Sequence, residues 1–231
     1  MTFQNKNLEK YLKIILNKNI EKFYIKDLFK IETLKISNIN YETEKKEYDF
    51  NEIKLFPFLN KLIIEDSIIT NKDIEEIKKN KIFDIKFVNC YFTDINNLSN
   101  LNLTKLSLYK CSNLTSFSWL TTLSSIQEFE IFNDDKTITL DINYLLNMKK
   151  LKDLTLSNLD ISNFNLLNNI SNNLNILILK NMNLENLDFL NYLPDNCTVI
   201  IDEKYIYQSD SINNSERLNI YSDYNVFTNG Y

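Results

Sequence analysis

LTKLSLYKCSNLTSFSWLTTLSSIQEFEI, residues 103–131, contains one apolar pattern followed by a second copy of it. The pattern has the form LxxLxL, and the second copy begins 23 residues after the first. The two sets of apolar residues are Leu103, Leu106 and Leu108, and then Ile126, Phe129 and Ile131. One such unit is too small to bury its apolar side alone, so copies must stack and share one continuous core.

The same spacing occurs in five further places, and each set of three apolar residues is called a rung below. The other rungs are Ile31, Leu34 and Ile36; Leu59, Leu62 and Ile64; Ile82, Ile85 and Phe87; Leu151, Leu154 and Leu156; and Leu174, Leu177 and Leu179. A last, incomplete rung with two apolar residues, Val199 and Ile201, ends the series. A period near 23 residues is typical of a leucine-rich repeat. We therefore predict an α/β solenoid, a curved right-handed coil with a parallel β-sheet on its concave face and short 3₁₀ or helical segments on its convex face.

The segments between the rungs are short, which limits their structure. Phe117–Leu123 and Leu184–Leu193 have apolar residues three apart, which indicates 3₁₀ turns. Asn71–Lys79 has helical spacing, with Glu75 four residues before Lys79. Tyr41–Phe50 is a charged insertion that we expect to loop out on the convex side.

The two ends of the chain lack the rung pattern. Residues 5–17 predict an amphipathic helix, and residues 1–30 are assigned to an N-terminal helical cap before a repeat domain at 31–202. The apolar face of this helix comprises Leu8, Tyr11, Leu12 and Ile15. Residues 203–231 are a C-terminal cap, with aromatic residues folding back, or a partly disordered tail.

Composition excludes several classes of function. The net charge of −5 and pI near 5.0 give no basic surface for nucleic acid, and no apolar run is long enough to span a membrane. The abundance of Asn, Lys, Ile and Tyr indicates an AT-rich genome. We see no secretory signal and expect a cytoplasmic monomer, although a secreted or surface form would look the same if a signal had been removed.

Catalytic and metal chemistry also lack their usual residues. The chain has no His, which excludes imidazole bases and ligands, and three scattered Cys cannot form a four-thiolate zinc site. Its single Gly, Gly230, excludes a glycine-rich phosphate loop. We expect no catalytic residues, no metal and no cofactor. Cys90 and Cys111 hold equivalent positions in adjacent repeats, and we predict free buried thiols there rather than a disulfide.

Particular stretches resemble a known family. Asp27–Ser37 (DLFKIETLKIS) and Leu114–Leu123 (LTSFSWLTTL) resemble the short-repeat leucine-rich proteins of bacteria, of which the internalins are the best-known members. Leu193–Asp202 resembles the end of many such arrays. The chain departs from the family at the inward Asn ladder that follows each strand. Its positions are held by Ile39, Ser67, Cys90, Cys111, Asp134, Leu159 and Met182.

The concave face is the predicted site of function. Side chains alternate along a strand, so the residues between and just after the inward rung residues face solvent. In three adjacent rungs these positions place Val88, Tyr109 and Phe132 side by side. The full set of candidate protein-binding residues is Lys86, Val88, Lys105, Tyr109, Glu128, Glu130 and Phe132. Aromatic residues rimmed by charge are typical of binding hot spots, although strands favour aromatic residues in any case.

Three functions remain open at this point. The first is a non-enzymatic scaffold that binds a protein partner through the concave face. The second is a regulatory subunit of a partner enzyme, similar to the short-repeat leucine-rich regulator of a protein phosphatase. The third is a structural role through self-association.

Overall fold

Each predicted rung belongs to a short parallel strand in the computed structural model. The structure describes residues 3, 6–16, 23–37, 46–47, 50–134, 138–170, 172–209 and 217–222. The chain divides into two compact units, Met1–Leu114 and Thr115–Tyr231. In both units the strands alternate buried and partly exposed residues, because every second side chain points into the core.

The first unit has one main sheet and one small sheet. Its main strands pair in parallel in the order β1-β3-β5-β7. These strands are β1 Thr33–Ser37, β3 Lys61–Glu65, β5 Asp84–Val88 and β7 Lys105–Tyr109. The small sheet pairs in the order β2-β4-β6 and consists of β2 Lys46–Glu47, β4 Ser67–Ile69 and β6 Tyr91–Phe92.

Helical segments connect these strands. Two helices, α1 Lys6–Ile15 and α2 Ile25–Leu28, precede β1. The later connections are a 3₁₀ segment at Phe50–Leu55, helix α3 at Asn71–Lys78 and a second 3₁₀ segment at Ile95–Asn100. Of the charged insertion, the structure describes β2 and the buried Phe50, and the remaining insertion residues lie outside the described part.

The second unit repeats the arrangement with shorter connections. Its main strands pair in parallel in the order β8-β10-β12-β13-β14. They are β8 Glu128–Phe132, β10 Asp153–Ser157, β12 Ile176–Lys180, β13 Thr198–Ile201 and β14 Asn219–Ser222. A small pair consists of β9 Thr139–Asp141 and β11 Asp160–Ser162.

The connections in the second unit are mostly 3₁₀ turns, as the short period predicts. They lie at Ser118–Thr122, Ile142–Leu145, Phe164–Asn169, Asp188–Tyr192 and Glu203–Tyr205, followed by helix α4 at Ile206–Ser209. The 3₁₀ expectation for Phe117–Leu123 and Leu184–Leu193 is therefore confirmed. Strand β14 lies within residues 203–231, for which the sequence allowed either a C-terminal cap or a partly disordered tail.

The core consists of the predicted inward residues. All three apolar residues of every rung are buried, as are Val199 and Ile201 of the last one. The parallel register matches equivalent residues, for example Leu62 with Ile85 and Ile85 with Leu106. This matching stacks side chains of similar size directly above one another, which is how one repeat covers the apolar side of the next.

One local prediction about a helix is wrong. Ile15 of α1 is exposed, whereas Leu8 and Leu12 are buried as expected, so the buried stripe of this helix is narrower than predicted. The helical spacing predicted for Asn71–Lys79 is confirmed by α3, where a salt bridge joins Lys79 Nζ to Glu76 Oε1 at 2.6 Å. A three-residue spacing places the two side chains on one face just as a four-residue spacing does.

In three of the turns that follow strands, a short side chain makes hydrogen bonds in place of the missing Asn ladder. Ser67 Oγ donates to the Glu65 carbonyl at 2.8 Å, and Cys90 Sγ donates to the Ile64 carbonyl of the preceding strand at 3.4 Å. Cys111 Sγ donates to the Tyr109 carbonyl at 3.5 Å. Small hydroxyl and thiol donors thus satisfy backbone oxygens at positions where the family uses amides.

The remaining four ladder positions differ from these three. Leu159 and Met182 are buried apolar side chains, and Ile39 lies outside the described residues. The assignment of Asp134 to the ladder is wrong, because it is exposed and its neighbour Asn133 is buried instead. Asn133 Nδ2 has no hydrogen-bond partner among the residues that the structure describes.

Candidate protein-binding surface

The candidate residues lie on the strand face, defined here as the side chains of the main strands that point away from the core. In the first unit this face holds Lys86, Val88, Lys105 and Tyr109, and all four are partly exposed. Val88 is the register partner of Tyr109 on the neighbouring strand. The structure therefore brings these two predicted residues side by side.

A cation–π contact orders this part of the face. The ammonium group of Lys86 lies 4.0 Å from the centre of the Tyr109 ring. Lys86 is on β5 and Tyr109 on β7, two positions further along the paired strands, so the contact runs diagonally across the pair. A lysine at this distance attracts the negative face of the ring and restricts the rotamers of both side chains. The sequence identifies both residues but does not predict this contact.

Ion pairs connect the neighbouring strands of the same face. Lys35 Nζ lies 2.8 Å from Glu65 Oε2, and Lys61 Nζ lies 3.1 Å from Asp84 Oδ2. The other oxygen of that carboxylate, Asp84 Oδ1, is buried and accepts no hydrogen bond from any described residue. Residues one repeat apart on this face thus carry opposite charges. These ion pairs were not predicted from the sequence, although the charged residues occupy equivalent positions in neighbouring repeats.

In the second unit the candidate residues share one strand. Glu128, Glu130 and Phe132 are partly exposed on β8. Their register partners on β10 are Asp153, Thr155 and Ser157. Ser157 is buried, and within the described part of the chain its hydroxyl has no hydrogen-bond partner.

A second row of apolar side chains on this unit was not predicted. Ile178, Ile200 and Tyr221 occupy matched positions on β12, β13 and β14. Tyr221 is exposed, whereas Ile200 is almost covered. Tyr221 belongs to this row because β14 pairs with β13. In the sequence, the alternating apolar residues Leu218 and Ile220 would have indicated this additional strand.

Two groups on the rest of the second unit have perturbed acidity. Burial raises the pKa of the Cys197 thiol to about 11, and the nearby Arg217 charge offsets only part of that effect. The Asn163 amide, and then the Asn143 backbone N–H, donate to Asp141 and lower the pKa of its carboxyl group. Neither group lies among the candidate residues.

Neither a metal-ligating cluster nor a membrane-spanning helix occurs in the described part of the chain. No group of three or more metal-ligating side chains is assembled there. None of the helices in the described ranges is both long enough and apolar enough to cross a bilayer. All three cysteines are buried and free of disulfides, in agreement with the prediction for Cys90 and Cys111.

The arrangement of rungs, turns and strands matches solved structures. Internalin C2 of Listeria monocytogenes is similar with a TM-score of 0.60 and 19% sequence identity, over 95% of this chain and 94% of that one. The chain has an internalin-like leucine-rich repeat fold. The predicted resemblance and the predicted α/β solenoid class are both confirmed by this similarity.

Two further structures share the internalin-like repeat fold. Internalin F of Listeria monocytogenes matches with a TM-score of 0.58 and 22% identity, over 87% of this chain and 57% of that one. TLR13, in its complex with ssRNA13, matches with a TM-score of 0.52 and 15% identity, over 87% of this chain and 33% of that one. No protein-family model and no curated protein sequence matches the chain. At these identities the similarity describes the fold alone.

Proposed function

We propose that this internalin-like repeat protein is a non-enzymatic scaffold that binds a protein partner through its strand face. The observation that carries the proposal is the cation–π pair of Lys86 and Tyr109, with Val88 beside the ring. An ordered aromatic side chain next to an aliphatic one loses little conformational entropy when a partner covers it. Aromatic anchors of this kind supply much of the binding energy in protein interfaces.

The charged candidates have a different role in this proposal. Lys105 in the first unit, and Glu128 and Glu130 in the second, carry the charge near the aromatic residues of each strand face. Partly exposed charges of this kind contribute more to partner selection and association rate than to affinity. Phe132 is the proposed apolar contact of the second unit.

Exposure limits how strongly each aromatic residue can contribute. Val88, Tyr109 and Phe132 are already partly covered within the chain. A partner therefore buries only the remaining area of each, and the gain per side chain is below the roughly 1.5–3 kcal/mol expected for full burial. Binding at useful affinity then requires several of these residues together.

Variants of the strand face test the proposal. The chain would be tagged in its native host, cross-linked and purified, and its partners identified by mass spectrometry. Tyr109→Ala and Phe132→Ala should each leave the melting temperature within a few degrees and reduce recovery of the same partner. Glu75→Ala and Lys79→Ala, on and beside helix α3, serve as controls and should recover it fully. Undiminished recovery by the Tyr109→Ala Phe132→Ala double variant would contradict the proposal.

The identity of the recovered protein separates the other functions. A protein phosphatase subunit would favour the regulatory-subunit alternative, and recovery of this chain alone would favour a self-associating structural role. The cytoplasmic location and the monomeric state stay predictions from the sequence.

A further inference from the structure

A group of large apolar side chains is exposed on the first unit, outside its strands. The group is called the aromatic patch below and consists of Tyr24, Ile25, Phe29 and Phe58. Their exposed fractions are 60%, 62%, 49% and 58%. Phe29 and Phe58, which are 29 residues apart in sequence, contact each other edge to face with ring centres 5.8 Å apart. Clustered apolar exposure of this kind marks interaction sites more often than isolated exposed residues do.

Buried neighbours hold the aromatic patch in place. Phe23 and Leu28 lie within the same segment as Tyr24, Ile25 and Phe29, and both are buried. Phe23 also packs edge to face against Phe3 at 5.3 Å. Because the backbone is anchored at these residues, the exposed side chains are displayed by a packed element.

Phe58 is anchored in the same way. It lies between Phe56 and Leu59, which are both buried, and Phe56 stacks on Phe3 with ring centres 6.1 Å apart. Phe3 thus packs against both segments that carry the aromatic patch. The two segments form one preorganised surface, which reduces the entropy that a partner must overcome on binding.

The two exposed charged residues within residues 24–30 are lysines, whereas the exposed Glu32, two residues beyond Lys30, is acidic. Lys26 and Lys30 alternate with the patch residues and are exposed, and Lys26 Nζ lies 5.8 Å from the centre of the Tyr24 ring. The acidic residue of this segment, Asp27, is buried, and its carboxylate accepts a hydrogen bond from the Tyr24 backbone N–H at 3.1 Å. Lysines also outnumber acidic residues over 1–114, whereas acidic residues outnumber basic ones over 115–231.

We propose that the aromatic patch docks an acidic segment of a protein partner, one that carries large apolar side chains among its carboxylates. The apolar side chains of that segment would cover Phe29 and Phe58, and its carboxylates would pair with Lys26 and Lys30. An anionic membrane fits less well, because electrostatic membrane binding relies on clusters of about 4–8 basic residues. This surface is separate in sequence from the strand residues of the proposed function, and either proposal can fail without the other.

A peptide of defined composition tests the aromatic patch directly. The probe is a fluorescein-labelled peptide in which glutamate alternates with phenylalanine and leucine, and binding to the full chain is followed by fluorescence anisotropy. We expect saturable binding that weakens by about tenfold or more in Phe29→Ala Phe58→Ala and, separately, in Lys26→Glu Lys30→Glu. The affinity should fall as salt is raised, because exposed charges contribute to it.

Matched controls distinguish binding at the aromatic patch from non-specific hydrophobic binding. Tyr192→Ala removes an equally exposed aromatic side chain from the second unit and should not change peptide affinity. A probe with lysine in place of glutamate should not bind. Melting temperatures of the Phe29→Ala Phe58→Ala variant should stay close to that of the unchanged chain.

Several outcomes would overturn the proposal. They are an absence of saturable binding, equal binding of the lysine probe, and unchanged affinity in either double variant. Binding of the chain to phosphatidylserine-containing vesicles that the Lys26→Glu Lys30→Glu variant abolishes, without peptide binding, would assign the surface to a membrane. Dimerisation in sedimentation experiments that Phe29→Ala Phe58→Ala abolishes, again without peptide binding, would assign it to a second copy of the chain.

Discussion

Asparagine takes the place of glycine at the turns that end the strands. Asn89, Asn158 and Asn181 each follow a main strand directly, with φ angles of 52°, 58° and 52°. This left-handed region suits glycine, yet the chain has a single Gly, and Asn is among the non-glycine residues that tolerate the conformation best. Asp66 and Lys110 occupy the same turn position with the same geometry. The abundance of Asn therefore has a structural use in this fold.

The alternation along each strand makes neighbouring residues respond differently to the same change. Leu177 is fully buried on β12, whereas the next residue, Ile178, is partly exposed. Leu177→Asp should lower the free energy of unfolding by about 3–5 kcal/mol, since it combines lost apolar burial with an unpaired buried carboxyl group. Ile178→Asp should cost distinctly less. Denaturant unfolding followed by the fluorescence of Trp119, the single tryptophan, measures both. The reverse ranking would contradict the strand register.

Burial should make the three thiols unreactive in the folded chain. At pH 8 a colorimetric thiol reagent should react slowly with the native protein and titrate all three cysteines once the chain is unfolded without air. Titration of a single thiol would mean that a disulfide is present. Burial also raises the pKa of Cys197 to about 11, which keeps this thiol protonated at pH 8.

The raised pKa of Cys197 also gives a pH dependence of known sign. Folding favours the neutral thiol over the thiolate. The resulting contribution to the free energy of unfolding is therefore complete below the ordinary thiol pKa of 9.0, and it is lost as the pH rises from 9.0 towards about 11. Cys197→Ala lacks the effect. The difference in melting temperature between the unchanged chain and Cys197→Ala should therefore shrink above pH 9 in calorimetry. A constant difference up to pH 11 would show that the thiol does not titrate in this way.

At the scale of elements, α3 differs from the other connections because it has a complete N-terminal cap. Asp73 N donates to Thr70 Oγ1 at 3.4 Å, and Thr70 N donates to Asp73 Oδ2 at 2.8 Å. Ile74 and Ile77 on the inner side of this helix are buried. The cap satisfies backbone N–H groups at the first turn, and the two isoleucines pack the helix onto the core. A short repeat can therefore hold a true helix here instead of a 3₁₀ turn.

Removal of the cap should destabilise the first unit measurably. Thr70→Ala should lower the free energy of unfolding by about 1 kcal/mol, within the range measured for cap removal. Native-state hydrogen exchange should show faster exchange for the amides of α3. Lys79→Ala is the control and should cost only a few tenths of a kcal/mol, because the Lys79–Glu76 pair is exposed on the lysine side. Equal effects of the two substitutions would mean that the cap contributes nothing beyond surface charge.

At the scale of the whole molecule, the end of the second unit is held by a single arginine. Arg217 Nη2 donates to the Leu190 carbonyl at 2.7 Å, and Nη1 donates to the Leu193 carbonyl and lies 3.1 Å from Asp195 Oδ1. The planar guanidinium group can reach these acceptors together, which a lysine ammonium cannot do. The residue lies just before β14, so it connects the last strand to the turn that precedes β13.

Loss of this arginine should weaken the end of the repeat array. Arg217→Ala should lower the free energy of unfolding of the second unit by about 1.5–3 kcal/mol, the usual cost of a charged hydrogen-bond donor, and Arg217→Lys should recover only part of it. Trp119 fluorescence in urea measures both, since Trp119 is buried in the same unit. Asp195→Ala should have little effect, because most of that side chain is exposed. An unchanged urea midpoint for Arg217→Ala would exclude this role.

The spacing of apolar residues was sufficient to predict the rungs, their parallel strands and the 3₁₀ turns between them. The physical reason is that strand alternation and repeat stacking are local and periodic, so every rung from Ile31 to Leu179 contributes evidence for the same fold. The candidate residues of the strand face follow from the same alternation, and their role in binding remains a proposal. The helical connection at α3 was also predictable from its own residues.

Only the tertiary structure decided the features that join residues far apart in sequence. These features are strand β14, the Lys86–Tyr109 contact, the hydrogen bonds from Cys90 and Cys111 to backbone carbonyls, and the contact of Phe29 with Phe58. Each depends on which side chains the stacked repeats bring within a few ångströms of one another. Pattern spacing determines the direction in which a side chain points, whereas packing between repeats determines what that side chain touches.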